Sequence, residues 1–480
     1  MRRLQAPESG AARATGPHAD PGSFRDPDSR VFHDNGRVLR ALSERGREDW
    51  EALAATPLLD TLVAEGKLVA TQAAEAEDAP DTQAGHAAAV LEHERIPFVS
   101  YPYEWPFGML RDAALLQLEL VRRALAHDLI LKDSTPYNVQ FRGSRPVFVD
   151  VGSFERHRAG EPWAGYRQFC MLYLYPLLLQ AHRDVPFQPW LRGRIGGITP
   201  QECRNMLSVR DLFRRGIPTH VALHARLERK HADSGADVRR ELKNAGFNTE
   251  LILANVRRLE KLVGRLEWKA AETAWSAYTT TTTYSDADAA AKAEFVGAAA
   301  RDARPQLVWD IGCNEGTYSR LAAAQADSVV AFDADVLAVE QLYRALRAEG
   351  DEKILPLVVD VADPSPGLGW RGRERGPLEG RGAPELTLCL ALIHHVVISG
   401  NIPVAEFLDW LRSLGTALVI EFPTPEDPMV QRLLVRKREH DHPDYRRDEF
   451  ERLLGERFDV ERSQVLSSGT RVLYRARPRV

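Results

Sequence analysis

The chain has 480 residues and 44% hydrophobic content, ordinary for a globular protein of about two to three domains. Lys and Arg number 63 against 68 Asp and Glu, and a formal net charge of -5 offers no field for a nucleic-acid or anionic-membrane partner. The four cysteines (Cys170, Cys203, Cys313 and Cys389) lie far apart without a C-x-x-C pair or metal-ligand spacing, which predicts free thiols in a reducing cytoplasm.

Residues 1–30 are rich in Pro, Gly, Ala and charge, a composition that predicts a disordered tail, and they lack the apolar core of a signal peptide. RVFHD and RVLRAL are strand-like runs turning at Asn35-Gly36, a good hairpin signal. Helical text follows, and then the polar segment ATQAAEAEDAPDTQAGHAA reads as a loop. The aromatic, proline-punctuated stretch ERIPFVSYPYEWPFGML leads into an amphipathic helix through RDAALLQLELVRRALAHDL. The longest apolar stretch, FCMLYLYPLLLQ at 169–180, is too short to span a bilayer and contains a proline, so no membrane insertion is expected.

Between these pieces lies LILKDSTPYNVQFRGSRPVFVDVGSFE. Asp133 and Asn138 are spaced D-x-x-x-x-N, and after a Gly143-Ser144 turn the strand PVFVD ends in Asp150, followed by Val151-Gly152. The segment resembles the catalytic loop and metal-binding segment of the protein-kinase and aminoglycoside-kinase superfamily. The resemblance implies Asp133 as a base and Asn138 and Asp150 as Mg²⁺ ligands. No glycine-rich loop precedes it, and neither Lys67 nor Lys132 sits in a V-A-I-K-like strand, so the phosphate-gripping parts are not visible. The expectation is an α+β kinase-like domain over 31–235 that serves docking rather than catalysis. An ATP-using kinase and a chance arrangement of acidic turn residues stand as alternatives.

Residues 160–235 read as a helical lobe. His220 and His224 stand i,i+4 apart, but no third ligand accompanies them, so no metal site is expected. A charged helix running to about Lys269 reads as a connector, and 236–284 as linker and cofactor-covering segment, with Tyr278 and Tyr284 as candidate ring faces for the cofactor. Ser285, Asp286 or Asp288 can cap the helix that follows.

The richest signal is LVWDIGCNEG, Leu307 to Gly316, with the helical text TYSRLAAAQA and the apolar run SVVAF ending in Asp333. Strand, glycine turn, helix and strand with a terminal acid make the nucleotide-binding half of a doubly wound sheet. A pyrophosphate needs a helix N-terminus free of carboxylates, whereas here Asp310 and Glu315 flank the turn and suit a cationic amino-acid moiety. The order D-x-G-x-N-x-G resembles motif I of the class I methyltransferases, with Asn314 in place of the middle glycine, a residue that tolerates left-handed backbone. That resemblance implies S-adenosyl-L-methionine as cofactor. The methionine part would lie on Asp310, Gly312, Cys313, Asn314 and Gly316, the ribose on Asp333 and the adenine on Asp360 at the end of ILPLVVD.

The following stretch, 364–384, is dense in Gly, Pro and Arg and reads as an exposed loop, with Arg371, Arg373, Arg375 and Arg381 as candidates for an anionic substrate group. LTLCLALIHHV delivers His394 and His395 to the C-terminal edge of the sheet, where such folds place their chemistry, and TALVIEFP brings Glu421 to the same edge. These three are the candidate catalytic residues, a histidine acting as general base. Two final strand-like runs predict a closing hairpin. The fold expected for 285–480 is α/β, a Rossmann-like seven-stranded class I methyltransferase sheet. The layout resembles bacterial methyltransferases with a long N-terminal extension, some of them nodulation-related. The reaction implied is methyl transfer, to oxygen rather than nitrogen, on a small-molecule or glycan-type acceptor.

Overall fold

The computed structural model describes residues 17–75, 87–228, 248–269, 285–435, 442 and 444–479. The N-terminal half opens with an antiparallel sheet of β1 (His18–Ala19), β2 (Ser29–Asp34), β3 (Arg37–Leu42), β4 (Thr71–Ala74) and β5 (Ala89–His93), in the order β1-β2-β3-β5-β4. The hairpin read at Asn35-Gly36 forms: both residues take left-handed backbone and β2 pairs β3 up to Asp34 opposite Arg37. Two expectations are corrected here. Residues 17–30, assigned to a disordered tail, fold against the rest because their charges find distant partners, Arg25 on Glu374 and Asp26 on Lys132. Thr71–Ala74, assigned to a loop, is an edge strand whose half-exposed side chains carry no apolar alternation.

Helix Phe107–Leu125 is buried over more of its circumference than an amphipathic surface helix. The cause is helix Thr249–Val263, which lays Ile252, Val256, Leu259 and Val263 into the same core and pairs Glu260 with Arg122. The stretch read as a connector thus packs on the N-terminal half. Beyond helix 107–125, β6 (Leu129–Leu131) pairs antiparallel with β9 (Phe154–Arg156), and β7 (Val139–Arg142) forms a hairpin with β8 (Arg145–Phe148). Their ends bring Asp133, Asn138 and Asp150 to one place.

In the C-terminal half the apolar runs become β10 (Leu307–Ile311), β11 (Ser328–Asp333), β12 (Ile354–Val358), β13 (Leu386–Cys389) and β14 (Ala417–Pro423). With β15 (Phe458–Val465) and β16 (Arg471–Pro478) they form a seven-stranded sheet in the order β12-β11-β10-β13-β14-β16-β15. The first five strands are parallel and the closing hairpin is antiparallel, the Rossmann-like arrangement expected. Helices Asp286–Ala303, Thr317–Ala323 and Val336–Glu349 cover one face, packing Phe295, Val296, Ala322 and Leu342 on Val308, Val329 and Ala331. As predicted, Ser285 caps the first of them by accepting the Asp288 N–H.

The other face is shared. Helices Val404–Ser413 and Arg447–Arg457 cover the β13–β16 side, where Phe422 stacks on Phe450. Over β10–β12 the N-terminal half supplies the layer: Phe98 meets Trp309 and Phe332 edge-on at centroid distances of 6.1 and 6.2 Å. A parallel sheet needs both faces covered, and the β12–β13 connection contains short 3₁₀ turns but no α-helix to do it. That connection, residues 364–384, is the loop expected to be exposed. Instead it straps the halves together, with Leu378 buried and the Arg381 side chain 4% exposed. The Arg381 guanidinium donates to both Glu104 carboxylate oxygens and lies over the rings of Phe98 and Tyr101. No helix among the described residues is long and apolar enough to cross a membrane.

Candidate functional site

At the C-terminal edge of the sheet the chain turns sharply after Ile311. Gly312 (φ 81°), Asn314 (φ 48°) and Gly316 (φ 77°) all adopt left-handed backbone, which two glycines and an asparagine tolerate. A Cβ on Gly316 would lie 2.6 Å from a Leu342 methyl, which would have to shift to admit it. The turn is tied to β11: the N–H groups of Gly312 and Cys313 donate to the Phe332 carbonyl, and that of Asn314 to Asp333 Oδ2 at 2.9 Å. Asp333 Oδ1 accepts from the Asp335 N–H, so the carboxylate is fixed while keeping further lone pairs.

Asp310 is 2% exposed and accepts a hydrogen bond from Ser319 Oγ at 2.6 Å. Burial pushes its pKa up to about 6, against the opposing pull of Ser319 and Lys292. Asp333 is also raised, again by burial, against the N–H groups it holds. A buried acid and a half-buried one beside a single turn are costly unless a cation joins them. Burial likewise pushes the Cys313 thiol well up, which makes it packing rather than a nucleophile. Asp360 is exposed past the end of β12 and accepts the Ala362 N–H in a tight turn.

His394 and His395 follow β13, as the sequence predicted, with ring centroids 4.0 Å apart. His394 is fully buried, and neither of its ring nitrogens has a hydrogen-bond partner in the described structure. Burial, with His395, Arg471 and Lys292 nearby, holds His394 well below the ordinary imidazole range; burial and Arg471 bring His395 to about 4. Both rings are therefore neutral near pH 7. Glu421 is fully buried, 2.6 Å from Lys292 and 3.2 Å from Arg471, and Arg471 also pairs with Asp427 at 2.7 Å. Its charge is spent on the two cations Lys292 and Arg471.

Lys292 was not legible as a site residue. It stands alone in the alanine-rich DADAAAKAEFVGAAARDA, and only the fold brings it over the Tyr318 ring, 4.5 Å from its centroid, and onto Glu421. A lone lysine on the buried face of a helix was the available signal. Tyr278 and Tyr284, the expected covering rings, lie outside the described residues.

The chain is 32% identical over 471 residues to the nodulation protein NoeA of Rhizobium meliloti (strain 1021), spanning 96% of this chain and 97% of that protein. The chain belongs to the NoeA family. No family model matches it. Among solved structures it is similar to the N-methyltransferase NodS from Bradyrhizobium japonicum WM9, at 13% identity and a TM-score of 0.29, over 41% of this chain and 98% of that one. It is also similar to magnesium protoporphyrin IX methyltransferase (ChlM) from Synechocystis PCC 6803 with bound SAH, at 18% identity and a TM-score of 0.29, over 47% and 94%. At such scores these two add nothing to what the strand order itself gives.

This NoeA-family chain carries a second cluster, in an open cleft of about 2770 Å³ between the N-terminal sheet, the β6–β9 region and the 373–385 segment. Asp133, Asn138 and Asp150 all line it, and Asn138 Nδ2 donates to Asp150 Oδ2 at 3.1 Å. Burial first, then the nearby Asp150, raises the Asp133 carboxyl. Of the loop arginines expected to hold an anion, Arg375 lies over the Tyr137 ring at the cleft wall and Arg381 is consumed by Glu104, while Arg371 and Arg373 are exposed. Arg40 on β3, an arginine outside any V-A-I-K-like pattern, sits 2.7 Å from Asp150. His220 and His224 are hydrogen-bonded to Tyr166 and Tyr175, and among the described residues no group of three or more His, Cys, Asp or Glu is placed to hold a metal.

Proposed function

We propose that the chain is an S-adenosylmethionine-dependent methyltransferase acting in the cytoplasm on a hydroxyl of a small-molecule or glycan-type acceptor. The N-terminal half serves to dock that acceptor. One observation carries the reading: the buried Asp310 and the half-buried Asp333, both raised in pKa by their surroundings, flank a glycine turn at the C-terminal edge of a Rossmann-like sheet. A cationic guest relieves the cost of both, and a phosphate would aggravate it.

When bound, the cofactor supplies a methyl group on a sulfonium, already activated for attack. The chain then has to hold it, align the acceptor and exclude water. Asp310 and the Gly312–Gly316 turn hold the amino-acid end, Asp333 the ribose hydroxyls and Asp360 the adenine side. His394, neutral and without a hydrogen-bond partner, accepts the proton of the acceptor hydroxyl, with His395 beside it. An oxygen acceptor needs such a base more than an amine does. Lys292, Glu421 and Arg471 act as positioning residues that fix the floor under the histidines.

The test is incubation with methyl-labelled cofactor and a cell extract, followed by mass spectrometry of metabolites and glycans. Label should appear in an extract component, and D333A should remove both that label and cofactor binding in a calorimeter. Binding of NAD(H) with no uptake of adenosylmethionine or adenosylhomocysteine would overturn the reading.

A further inference from the structure

The likeness of Asp133, Asn138 and Asp150 to a phosphotransfer site implies a divalent cation on Asn138 and Asp150. The residues do not fit one. Both Asp150 oxygens already accept hydrogen bonds from side-chain donors: Oδ1 from Arg40 Nη1 at 2.7 Å and Oδ2 from Asn138 Nδ2 at 3.1 Å. Asn138 turns its NH₂ to the carboxylate, a donor where a metal ligand must be an acceptor.

Arg40 is itself immobilised. It is 8% exposed, and three further bonds fix its guanidinium: Nη1 to Ser29 Oγ at 2.7 Å, Nε to His93 Nε2 at 3.1 Å, and Nη2 to the Val149 carbonyl at 3.4 Å. His93 is anchored in turn, its Nδ1 2.9 Å from Thr71 Oγ1. Because Nε2 accepts from Arg40, the ring is neutral with its proton on Nδ1. Ser29, Arg40, Thr71 and His93 belong to β2, β3, β4 and β5, so four strands hold this one charge. A lysine on a flexible stem can swing aside for an incoming ion, whereas a planar fork bonded along its edges cannot do so without breaking the set.

Space points the same way. A Cβ on Gly152 would lie 3.3 Å from Arg40 Nη1, 3.5 Å from Asp150 Oδ1 and 3.5 Å from Ser29 Oγ, so backbone closes over the pair. Mg²⁺ keeps several waters at such sites, and that wall leaves them only the cleft side of Asp150. Lys132 adds a second fixed cation, 3.1 Å from Asp26.

We propose that the Arg40 guanidinium is a permanent substitute for a metal ion in the N-terminal cleft, so that this half of the chain binds its ligand without a divalent cation and transfers no phosphate. The test is Mn²⁺ binding to the full chain, followed by electron paramagnetic resonance of free Mn²⁺, with thermal unfolding in MgCl₂ or MnCl₂ with and without ATP. The wild-type chain should show no saturable Mn²⁺ site and no cation-dependent rise in Tm. R40M should acquire a single Mn²⁺ site and a Tm that rises with Mn²⁺, and R40M/D150N should lose both. A saturable site in the wild type that D150N abolishes overturns the proposal, as does an R40M chain that folds and still takes no Mn²⁺. Should R40M fail to fold, the wild-type and D150N titrations decide the question.

Discussion

Lys292 and Glu421 face each other at 2.6 Å with both side chains essentially closed to solvent, one from the helix before the glycine turn and the other from β14. The pair ties helix Asp286–Ala303 to β14. Removing one partner of a buried pair strands the other charge and costs roughly 3–5 kcal/mol, whereas replacing both with apolar groups is far milder. Glu421 keeps Arg471 when Lys292 is removed, so K292M should lower unfolding stability by less than that amount, and K292M/E421L, which leaves Arg471 on Asp427, should recover part of the loss. Urea unfolding of the three chains checks this; equal losses in the single and double variants would remove the pair from the account.

Asp310 gives the proposed cofactor site a pH signature. Its pKa of about 6 in the free chain is raised by burial, and a bound cation favours the ionised form. Binding therefore expels a proton when the acid starts out protonated. Affinity for adenosylmethionine should be weak below pH 6, rise through about 6 and level off above 7. Calorimetry between pH 5 and 8 in buffers of different ionisation enthalpy checks both the affinity and the released proton. D310N should flatten the profile.

The two histidines have the opposite sign in stability. Their folded pKa values lie below the ordinary 6.5, so at pH between that value and about 4 the unfolded chain takes up protons that the folded chain refuses. Stability is then fully present above pH 6.5 and is lost as pH falls towards 4. H395N should reduce the slope of Tm against pH in that window. In the reaction the same shift keeps the imidazoles neutral, so kcat should vary little from pH 6.5 to 8 on their account. H394A should lower kcat by ~10²-fold or more with little change in KM for the cofactor.

Local signals carried much of this. Glycines and an asparagine placed by left-handed backbone, a caps-ready Ser285, the Asn35-Gly36 hairpin and apolar runs ending in acids all act within a few residues, and each reappears in the structure. What stayed hidden is long-range pairing. Arg381 reads as a loop cation until Glu104, 277 positions away, is brought to it. Arg25 reads as tail until Glu374 closes on it, and Arg40 as one charge on a strand until four strands and Asp150 enclose it. Composition places such residues at the surface because unpaired charges are rarely buried, and only the fold supplies the partner.

The division of the chain at about residue 285 is legible in the motifs, yet the physics of the sheet predicts that the C-terminal half will not stand alone. Trp309, Phe332, Leu355 and Leu357 on β10–β12 are buried in a core shared with the N-terminal half, and the β12–β13 connection offers them no helix. Polar ties reinforce the contact: the Gly108 N–H donates to Glu340 at 2.7 Å, Tyr343 Oη donates to Asp112 at 2.8 Å, and Ser144 bonds the Asp351 carbonyl. Cutting at 285 would expose those apolar side chains and leave the 1%-exposed Glu340 without its Gly108 donor. Expressed alone, residues 285–480 should aggregate or bind a hydrophobic dye strongly, and co-expression with the N-terminal half should restore a soluble, cofactor-binding complex. A soluble 285–480 fragment that unfolds cooperatively and binds adenosylmethionine as the full chain does would show that the N-terminal layer is dispensable to the sheet.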